Sequence, residues 1–330
     1  MAAQLQKSMQ KIHSSATQLA ARHYKILPIL ALLLTNIIWG AAAPIFKWAL
    51  LDMPPFTFAF IRFAIAGGIL FPYLFTKPIH LSMRQMSLLC FGAFIGFTVR
   101  ISMVYLGLQR LSSMNWSLIA SIGPVMMFFV SILFLKERFH ARKLIGMSLA
   151  LMGAVVVIVG PLLSTEAVAA TASELEGVAY VVIMMICTVI YTLLHRRISA
   201  HIEPIQLIAL SFVFAAVTFF PLALFEWQTY SITSLTLPAA IGLFYAVVFA
   251  SLIAYYCYIY GITHIDAQEI GIFSYVDPLA AFIVAMPLLH EQPSIWTGLG
   301  ALIIFGGIYL SERRLHMRVK REHHSIHHRM

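Results

Sequence analysis

Charged side chains are scarce in this chain: Asp, Glu, Lys and Arg make up 11% of its 330 residues, whereas hydrophobic residues make up 61%. Soluble domains carry about 25% charged residues, so this composition excludes an ordinary water-soluble fold. The mean hydropathy is +0.87, and many apolar runs reach the roughly 20 residues that a membrane-spanning helix needs. These runs are apolar on every face rather than alternating. The sequence therefore predicts an all-α integral membrane protein.

Cysteines and catalytic motifs are also scarce. Cys90, Cys187 and Cys257 lie within apolar runs without paired spacing, which argues against a disulfide framework or a zinc site. The pair His290-Glu291 lacks the second histidine of a zinc protease, and neither a Gly-x-Ser-x-Gly motif nor a phosphate loop occurs. We therefore predict no cofactor, no metal site and no enzymatic activity. The formal charge of +9 is not arranged as one face or stripe, which argues against a nucleic-acid partner.

Ten apolar segments are predicted to span the membrane, and the basic residues test that number. With the N-terminus in the cytoplasm, 18 of the 22 Lys and Arg residues fall on the cytoplasmic side. This distribution follows the positive-inside rule and predicts a multi-pass protein of the cell (inner) membrane with both termini cytoplasmic. The predicted spans are 27–50, 56–76, 86–108, 111–135, 144–163, 177–195, 204–225, 237–260, 265–289 and 295–311.

An internal repeat divides these spans into two sets of five. Pro124 and Glu137 bracket twelve mostly apolar residues, and Pro278 and Glu291 do the same 154 positions later. Because five is odd, the second set must enter the membrane from the opposite side. Two inverted repeats of this kind are the architecture of alternating-access transporters. The predicted organisation is a cytoplasmic basic tail (1–26), a first five-helix repeat (27–163), an extracytoplasmic linker (164–176), a second five-helix repeat (177–311) and a cytoplasmic His-rich basic tail (312–330).

The N-terminus allows one alternative. A basic segment, the apolar run 26–38 and the small residues Ala41, Ala42 and Ala43 also fit a secretory signal peptide. Cleavage there would remove the first helix of the repeat, so we favour a retained span.

Several short motifs resemble a known family. Asn36-Ile-Ile-Trp39-Gly40 followed by Lys47 resembles the first-helix pattern of EamA-type carriers in the drug/metabolite transporter superfamily. The chain is similar to the same family in two further features: Arg62 early in the second span, and the segment from proline to glutamate that occurs in both halves. The resemblance covers about residues 27–311. It implies a carrier for small metabolites such as amino acids, often an exporter.

Acidic residues within the predicted spans are confined to the ninth. Asp266 lies at its edge, where a solvated helix start is the favoured interpretation, and Glu269 lies one turn deeper. Asp277 lies twelve residues from either end, about 18 Å deep at about 1.5 Å per residue. Pro278 follows it and displaces the carbonyl of Ser274. A deep carboxylate beside an interrupted helix is typical of a cation or ammonium site, and the alternative is a hydrogen-bonded structural anchor.

The basic residues within spans have several interpretations. Lys47 is expected to snorkel to the surface, and Arg62 is expected to bind carbonyls or headgroups. Arg100 either binds a substrate carboxylate or forms a static ion pair with Asp277. The tyrosines of residues 255–260 are expected to form an interface belt, with Tyr256 as the candidate for the pathway. The residues predicted to bind substrate are Asp277, Arg100, Glu269, Asn36, Trp39, Asn115 and Tyr256.

The predicted function is alternating-access transport of a small polar metabolite across the lipid bilayer, most specifically amino-acid export. Proton coupling at Asp277 is an alternative to binding of a substrate ammonium there. A flippase for a lipid-linked sugar or prenyl phosphate remains the alternative with similar architecture, and a membrane-embedded enzyme is the rival from another class.

Overall fold

The computed structural model describes residues 2–123, 126, 141–160, 171–198, 201–231, 235–264, 271–307 and 309–310. All regular secondary structure in these ranges is helical, as expected where lipid offers no partners to backbone amides and carbonyls. The helices are α1 (Ala2–Ala49), α2 (Pro55–Leu70), α3 (Met83–Ala93), α4 (Arg100–Arg110), α5 (Ser113–Ala120), α6 (Ala141–Val159), α7 (Thr171–Ile198), α8 (Pro204–Glu226), α9 (Leu237–Phe244), α10 (Ala254–His264), α11 (Val276–Leu289) and α12 (Ile295–Gly307).

Six segments of the described chain are long and apolar enough to cross a membrane: Ile26–Ala49, Pro55–Phe75, Met83–Arg110, Ala172–Leu194, Pro204–Glu226 and Leu237–Ile262. Each overlaps one of the ten predicted spans. Shorter apolar helices, Ser148–Val159, Phe273–Leu289 and Ile295–Gly307, lie within the predicted fifth, ninth and tenth spans. Of the predicted fourth span the structure describes residues 111–123, which include α5, and residue 126; residues 124–125 and 127–135 lie outside the described ranges.

The first helix is longer than the sequence pattern predicts. It begins at Ala2 and continues through the basic N-terminal segment, upstream of the predicted start at residue 27. Residues 2–25 contain neither proline nor glycine, so no residue there interrupts the backbone hydrogen bonds of a helix. The basic segment is therefore helical.

Local chemistry sets several helix ends. Helices α2 and α8 begin at Pro55 and Pro204, where the missing proline amide costs no intrahelical hydrogen bond. Ser82 and Gln85 form a capping box at the start of α3, and Ser112 accepts from the amide of Asn115 at the start of α5.

Two helices contain wide turns at matching places. The π-helical segment Phe94–Val99 joins α3 to α4, and the π-helical segment Tyr245–Ile253 joins α9 to α10. A π turn leaves some carbonyl oxygens without their usual amide partners and occurs frequently at functional sites. A 3₁₀ segment, Gly271–Tyr275, directly precedes α11.

Helix packing places α1 in the middle of the arrangement. It packs against α10 and α11, while α2 packs along α8 and α4 along α7. Among the largest fully buried side chains of the described residues are six aromatic rings: Phe58, Phe63, Phe97, Tyr105, Phe212 and Phe219. These rings form one core around the inner part of α1, so a polar side chain facing this core lies far from water.

Candidate functional site

Asp277 lies in the first turn of α11, directly after the 3₁₀ segment. Its Oδ1 atom is buried and has no hydrogen-bond partner among the residues that the structure describes. Gly40 of α1 packs directly on the backbone of Asp277: a Cβ atom at residue 40 would overlap the carbonyl oxygen of Asp277 and lie 2.7 Å from its Cα. A buried, unpartnered carboxylate oxygen is costly. The site is therefore chemically suited to an ammonium, another cation or a proton.

An aromatic cluster is centred on Trp39, which directly precedes Gly40 on α1. The Trp39 ring is 5.3 Å from the Tyr255 ring in a T-shaped arrangement and 5.3 Å from the Tyr258 ring. Tyr255 also contacts Phe97, with ring centroids 6.2 Å apart. Aromatic faces attract cations and pack well against apolar side chains. This cluster could therefore bind the organic part of a positively charged or zwitterionic molecule.

Two of the predicted site residues bind carbonyl oxygens of the π-helical segments. The Nε atom of Arg100 donates to the Gly96 carbonyl at 2.6 Å, and Nε1 of Trp39 donates to the Ala250 carbonyl at 3.1 Å. Ala250 follows Gly96 by 154 positions, so the two carbonyls occupy corresponding places in the two halves. Each side chain satisfies a carbonyl of a widened turn.

The expected ion pair between Arg100 and Asp277 is not present in the described part of the structure. The described ion pairs do not include either residue, and Arg100 instead bonds within its own helical segment. The static-pair interpretation is therefore wrong, and neither side chain has a counter-ion among the residues that the structure describes.

Arg62 is buried, with 4% of its surface exposed. Its Nε donates to the Ser251 hydroxyl and its Nη1 to the Tyr105 hydroxyl, each at 2.9 Å. The guanidinium lies 5.1 Å from the ring centroids of both Phe46 and Phe63. The expectation that Arg62 binds carbonyls or headgroups is therefore wrong, because its partners are hydroxyl groups and aromatic faces inside the protein.

Lys47 and Glu291 form an ion pair that connects α1, α5 and the segment directly after α11. Lys47 Nζ lies 3.1 Å from Glu291 Oε1 and donates to the Leu111 carbonyl at 2.6 Å. The Glu291 carboxylate also accepts from the backbone amides of Ser113 (2.9 Å) and Met114 (3.2 Å) and from the Ser113 hydroxyl (2.8 Å). A carboxylate at a helix N-terminus binds free amides and complements the helix dipole. Lys47 is thus engaged both in an ion pair and in a hydrogen bond to a backbone carbonyl.

We expect Glu291→Gln to lower the stability of the protein by about 1 to 3 kcal/mol, because the buried amides lose a charged acceptor. Glu203→Gln is the matched control, since Glu203 pairs with Lys77 where both side chains are largely exposed, and such pairs contribute about 0 to 1 kcal/mol. Thermal unfolding of the detergent-purified variants measures the difference. Equal unfolding midpoints for the two variants would show that the contacts of Glu291 contribute nothing to the stability of the protein.

Asn36 and Asn115 have structural partners. Asn36 is buried and donates from Nδ2 to the Leu32 carbonyl at 2.7 Å. Asn115 accepts through Oδ1 from the Thr297 hydroxyl at 3.0 Å, which ties α5 to α12. These contacts explain both side chains without a ligand.

Tyr256 faces away from the cluster. It is 66% exposed, whereas its neighbours Tyr255 and Tyr258 pack on Trp39. Tyr255 and Tyr258, rather than Tyr256, therefore contribute to the aromatic cluster, and the interface-belt interpretation does not describe these two residues. Positions 255 and 258 share one face of a helix whereas 256 does not, a signal that could have found them. Glu269 and Asp266 lie outside the described residues.

The described residues contain no group of three His, Cys, Asp or Glu side chains that could hold a metal ion. The candidate site consists of Asp277, the buried Arg62 and the aromatic rings around Trp39. This combination of one acidic group, one basic group and apolar rings suits a small organic molecule with both charged and apolar parts.

Comparisons with known proteins identify relatives that match most of the chain. A curated protein of Archaeoglobus fulgidus, described as an uncharacterized transporter, is 26% identical over 298 residues, which cover 87% of this chain and 98% of the relative. The uncharacterized transporter YetK of Bacillus subtilis is 25% identical over 276 residues, which cover 82% of each chain. A solved crystal structure superposes with a TM-score of 0.60 at 16% identity and covers 88% of this chain and 95% of its own, which shows a shared fold.

The family comparison matches twice along the chain. The description of the EamA-like transporter family matches residues 26–159 and residues 175–313. The two segments together cover most of the chain, and the relatives named above are described as transporters. The chain belongs to the EamA-like transporter family.

Proposed function

We propose that the protein is an alternating-access carrier of small polar metabolites, and that its most specific role is amino-acid export. The observation that carries this proposal is the buried Oδ1 atom of Asp277, which has no partner among the described residues. The carboxylate stands at an interrupted helix, where carriers hold charged substrates near the middle of the bilayer. Binding of a substrate ammonium or a coupling proton would remove the cost of this buried charge.

Contacts between α2 and α8 support two inverted repeats. The Glu226 carboxylate at the end of α8 accepts from the Thr57 amide at the start of α2, at 2.6 Å. At the opposite end of the same helix pair, Gln206 at the start of α8 donates to the Lys77 carbonyl beyond α2, at 2.9 Å. Gln206 follows Thr57 by 149 positions, and Glu226 follows Lys77 by the same number. If each residue is replaced by its counterpart in the other half, the contact between Thr57 and Glu226 becomes the contact between Gln206 and Lys77.

The contact between α6 and α12 has the same symmetry. A Cβ atom at Gly153 would lie 2.8 Å from the Gly300 carbonyl oxygen, and one at Gly307 would overlap the Gly146 carbonyl oxygen. Gly300 and Gly307 follow Gly146 and Gly153 by 154 positions. Both helix pairs thus run antiparallel about a common two-fold relation, which supports the proposal of ten spans in two inverted sets of five. Small residues at these contacts let the backbones approach in lipid.

We propose that both termini face the cytoplasm and that the protein resides in the inner membrane. The excess of Lys and Arg on one side supports this orientation. Reporter fusions after residues 170 and 232 are expected to read outside, and fusions after residues 140 and 330 are expected to read cytoplasmic. A cytoplasmic result at residue 170 would contradict the inverted repeat, because that proposal needs an odd number of spans in the first half.

The transport proposal is tested by counterflow in proteoliposomes. Vesicles containing the purified wild-type protein are loaded with a mixture of unlabelled amino acids and are then exposed to each radiolabelled amino acid in turn. We expect saturable, protein-dependent accumulation of at least one of them. Accumulation of none, together with binding of a polyprenyl-phosphate sugar, would contradict the metabolite proposal and favour a lipid flippase.

A further inference from the structure

Arg62 is a buried cation whose partners among the described residues are all neutral. Its guanidinium cannot lose its proton in a protein, and the hydroxyls of Ser251 and Tyr105 are its hydrogen-bond acceptors. None of the ion pairs within the described ranges includes Arg62. A full positive charge buried in a membrane protein normally faces a partner or a cavity. Arg62 therefore has no anionic partner among the described residues, and a bound anion would supply one.

The geometry of the guanidinium restricts how an anion can bind. Phe46 and Phe63 lie against it, with each ring centroid 5.1 Å from its central carbon. Nε and Nη1 are engaged, whereas Nη2 makes no hydrogen bond to any described residue. A guanidinium presents its five donors at the edges of a plane, and this arrangement matches a planar carboxylate. The free edge of Arg62 is therefore suited to a carboxylate group.

Arg62 and Asp277 are connected through consecutive residues on two helices. Ser251, which accepts from Arg62, follows Ala250, whose carbonyl accepts from Trp39. Gly40, which packs on Asp277, follows Trp39. On α1 the contact with Arg62 at Phe46 lies six residues beyond Gly40, about 9 Å at about 1.5 Å per residue. Arg62 and Asp277 thus contact α1 at places about 9 Å apart along its axis, a separation that a small zwitterion with one hydrogen bond of about 2.8 Å at each end can bridge.

We propose that Arg62 is the anion-binding residue of the carrier and that it receives the substrate carboxylate while Asp277 receives the substrate ammonium. The substrate class is then a zwitterion with one carboxylate and one amine, whose two charges neutralise both buried groups. This assignment rests on the proposed transport function. It replaces Arg100, because Arg62 is buried with 4% of its surface exposed whereas Arg100 is only partly buried.

The test compares Arg62→Gln with Arg100→Gln as the matched control. Each protein is reconstituted in proteoliposomes, and counterflow is measured for the best amino-acid substrate of the wild type and for the corresponding amino-acid amide, which lacks the carboxylate charge. We expect the wild type to prefer the acid over the amide about ten-fold or more, since a hydrogen bond between charged groups is lost with the amide. Arg62→Gln should lose this preference, and Arg100→Gln should keep it.

The acid-over-amide ratio separates binding from a structural role, because a general loss of folding lowers both rates together. Arg62→Lys keeps the positive charge but lacks the planar guanidinium, so its acid-over-amide ratio should fall between those of the wild type and Arg62→Gln. This variant replaces Arg62→Gln in the test if Arg62→Gln does not reach the membrane. An unchanged ratio in the Arg62 variants with a lost ratio in Arg100→Gln would overturn the assignment. Absence of counterflow by the wild type for every amino acid would instead overturn the transport function, and the Arg62 assignment with it.

Discussion

Asp277→Asn is expected to lower transport by at least about thirty-fold, because removing one partner of a buried charge pair costs about 2 kcal/mol or more. Asparagine keeps the shape of the side chain. It cannot carry the negative charge that binds an ammonium, and it cannot take up and release a coupling proton. The buried position of Oδ1 means that water cannot replace the lost interaction. Initial rates of counterflow in proteoliposomes, normalised to reconstituted protein, measure the effect.

Asp52→Asn is the matched control for this substitution. Asp52 is exposed, and its carboxylate accepts a hydrogen bond of 2.7 Å from the Thr236 hydroxyl. Its replacement should change transport less than about two-fold, because exposed polar contacts contribute little. Near-normal transport by Asp277→Asn would exclude Asp277 from the binding site.

Gly307→Ala is expected to produce the largest loss of stability among the small substitutions considered. A Cβ atom at this position would overlap the Gly146 carbonyl oxygen and lie 2.6 Å from the Ala150 amide nitrogen. Both are backbone atoms, so they cannot rotate away as a flexible side chain could. Forcing extra volume into a packed interface costs about 1 to 3 kcal/mol, and a backbone obstacle places the cost at the upper end of that range.

Gly306→Ala is the neighbouring control, because no atom lies within 4 Å of a Cβ built at that residue. An alanine in an open helix position is favoured over glycine by about 1 kcal/mol. The two adjacent variants should therefore shift the thermal unfolding midpoint in detergent in opposite directions. A similar shift for both would mean that α6 and α12 do not pack as closely as the structure has them.

Much of the fold follows from the sequence, because helix length and polarity are set by the bilayer. Apolar runs and their charged boundaries predicted segments that overlap the six long apolar helices. The rotation of each helix about its axis is harder to predict. In lipid both the outer and the inner face of a helix are apolar, so hydropathy does not distinguish them. Tyr256 was for this reason chosen in place of its inward-facing neighbours.

The site itself was predicted only in part. Asp277 stands out in a sequence because an acidic residue deep in a span is rare. The partners of Lys47 and Arg62 lie far along the chain, at Glu291 and Ser251. Such pairs depend on how the two halves pack against each other, and the spacing of residues in one sequence does not contain that information.

Access to the site from each side of the membrane tests the account most directly. Ser274 lies three residues before Asp277 within the 3₁₀ segment, and Ser274→Cys places a thiol there once Cys90, Cys187 and Cys257 are replaced by serine. An alternating-access carrier predicts that a membrane-impermeant thiol reagent modifies this cysteine from either side, and that excess transported amino acid slows the modification from both. Modification from one side only, or rates that the amino acid does not change, would contradict a substrate site at Asp277 that opens to each side in turn.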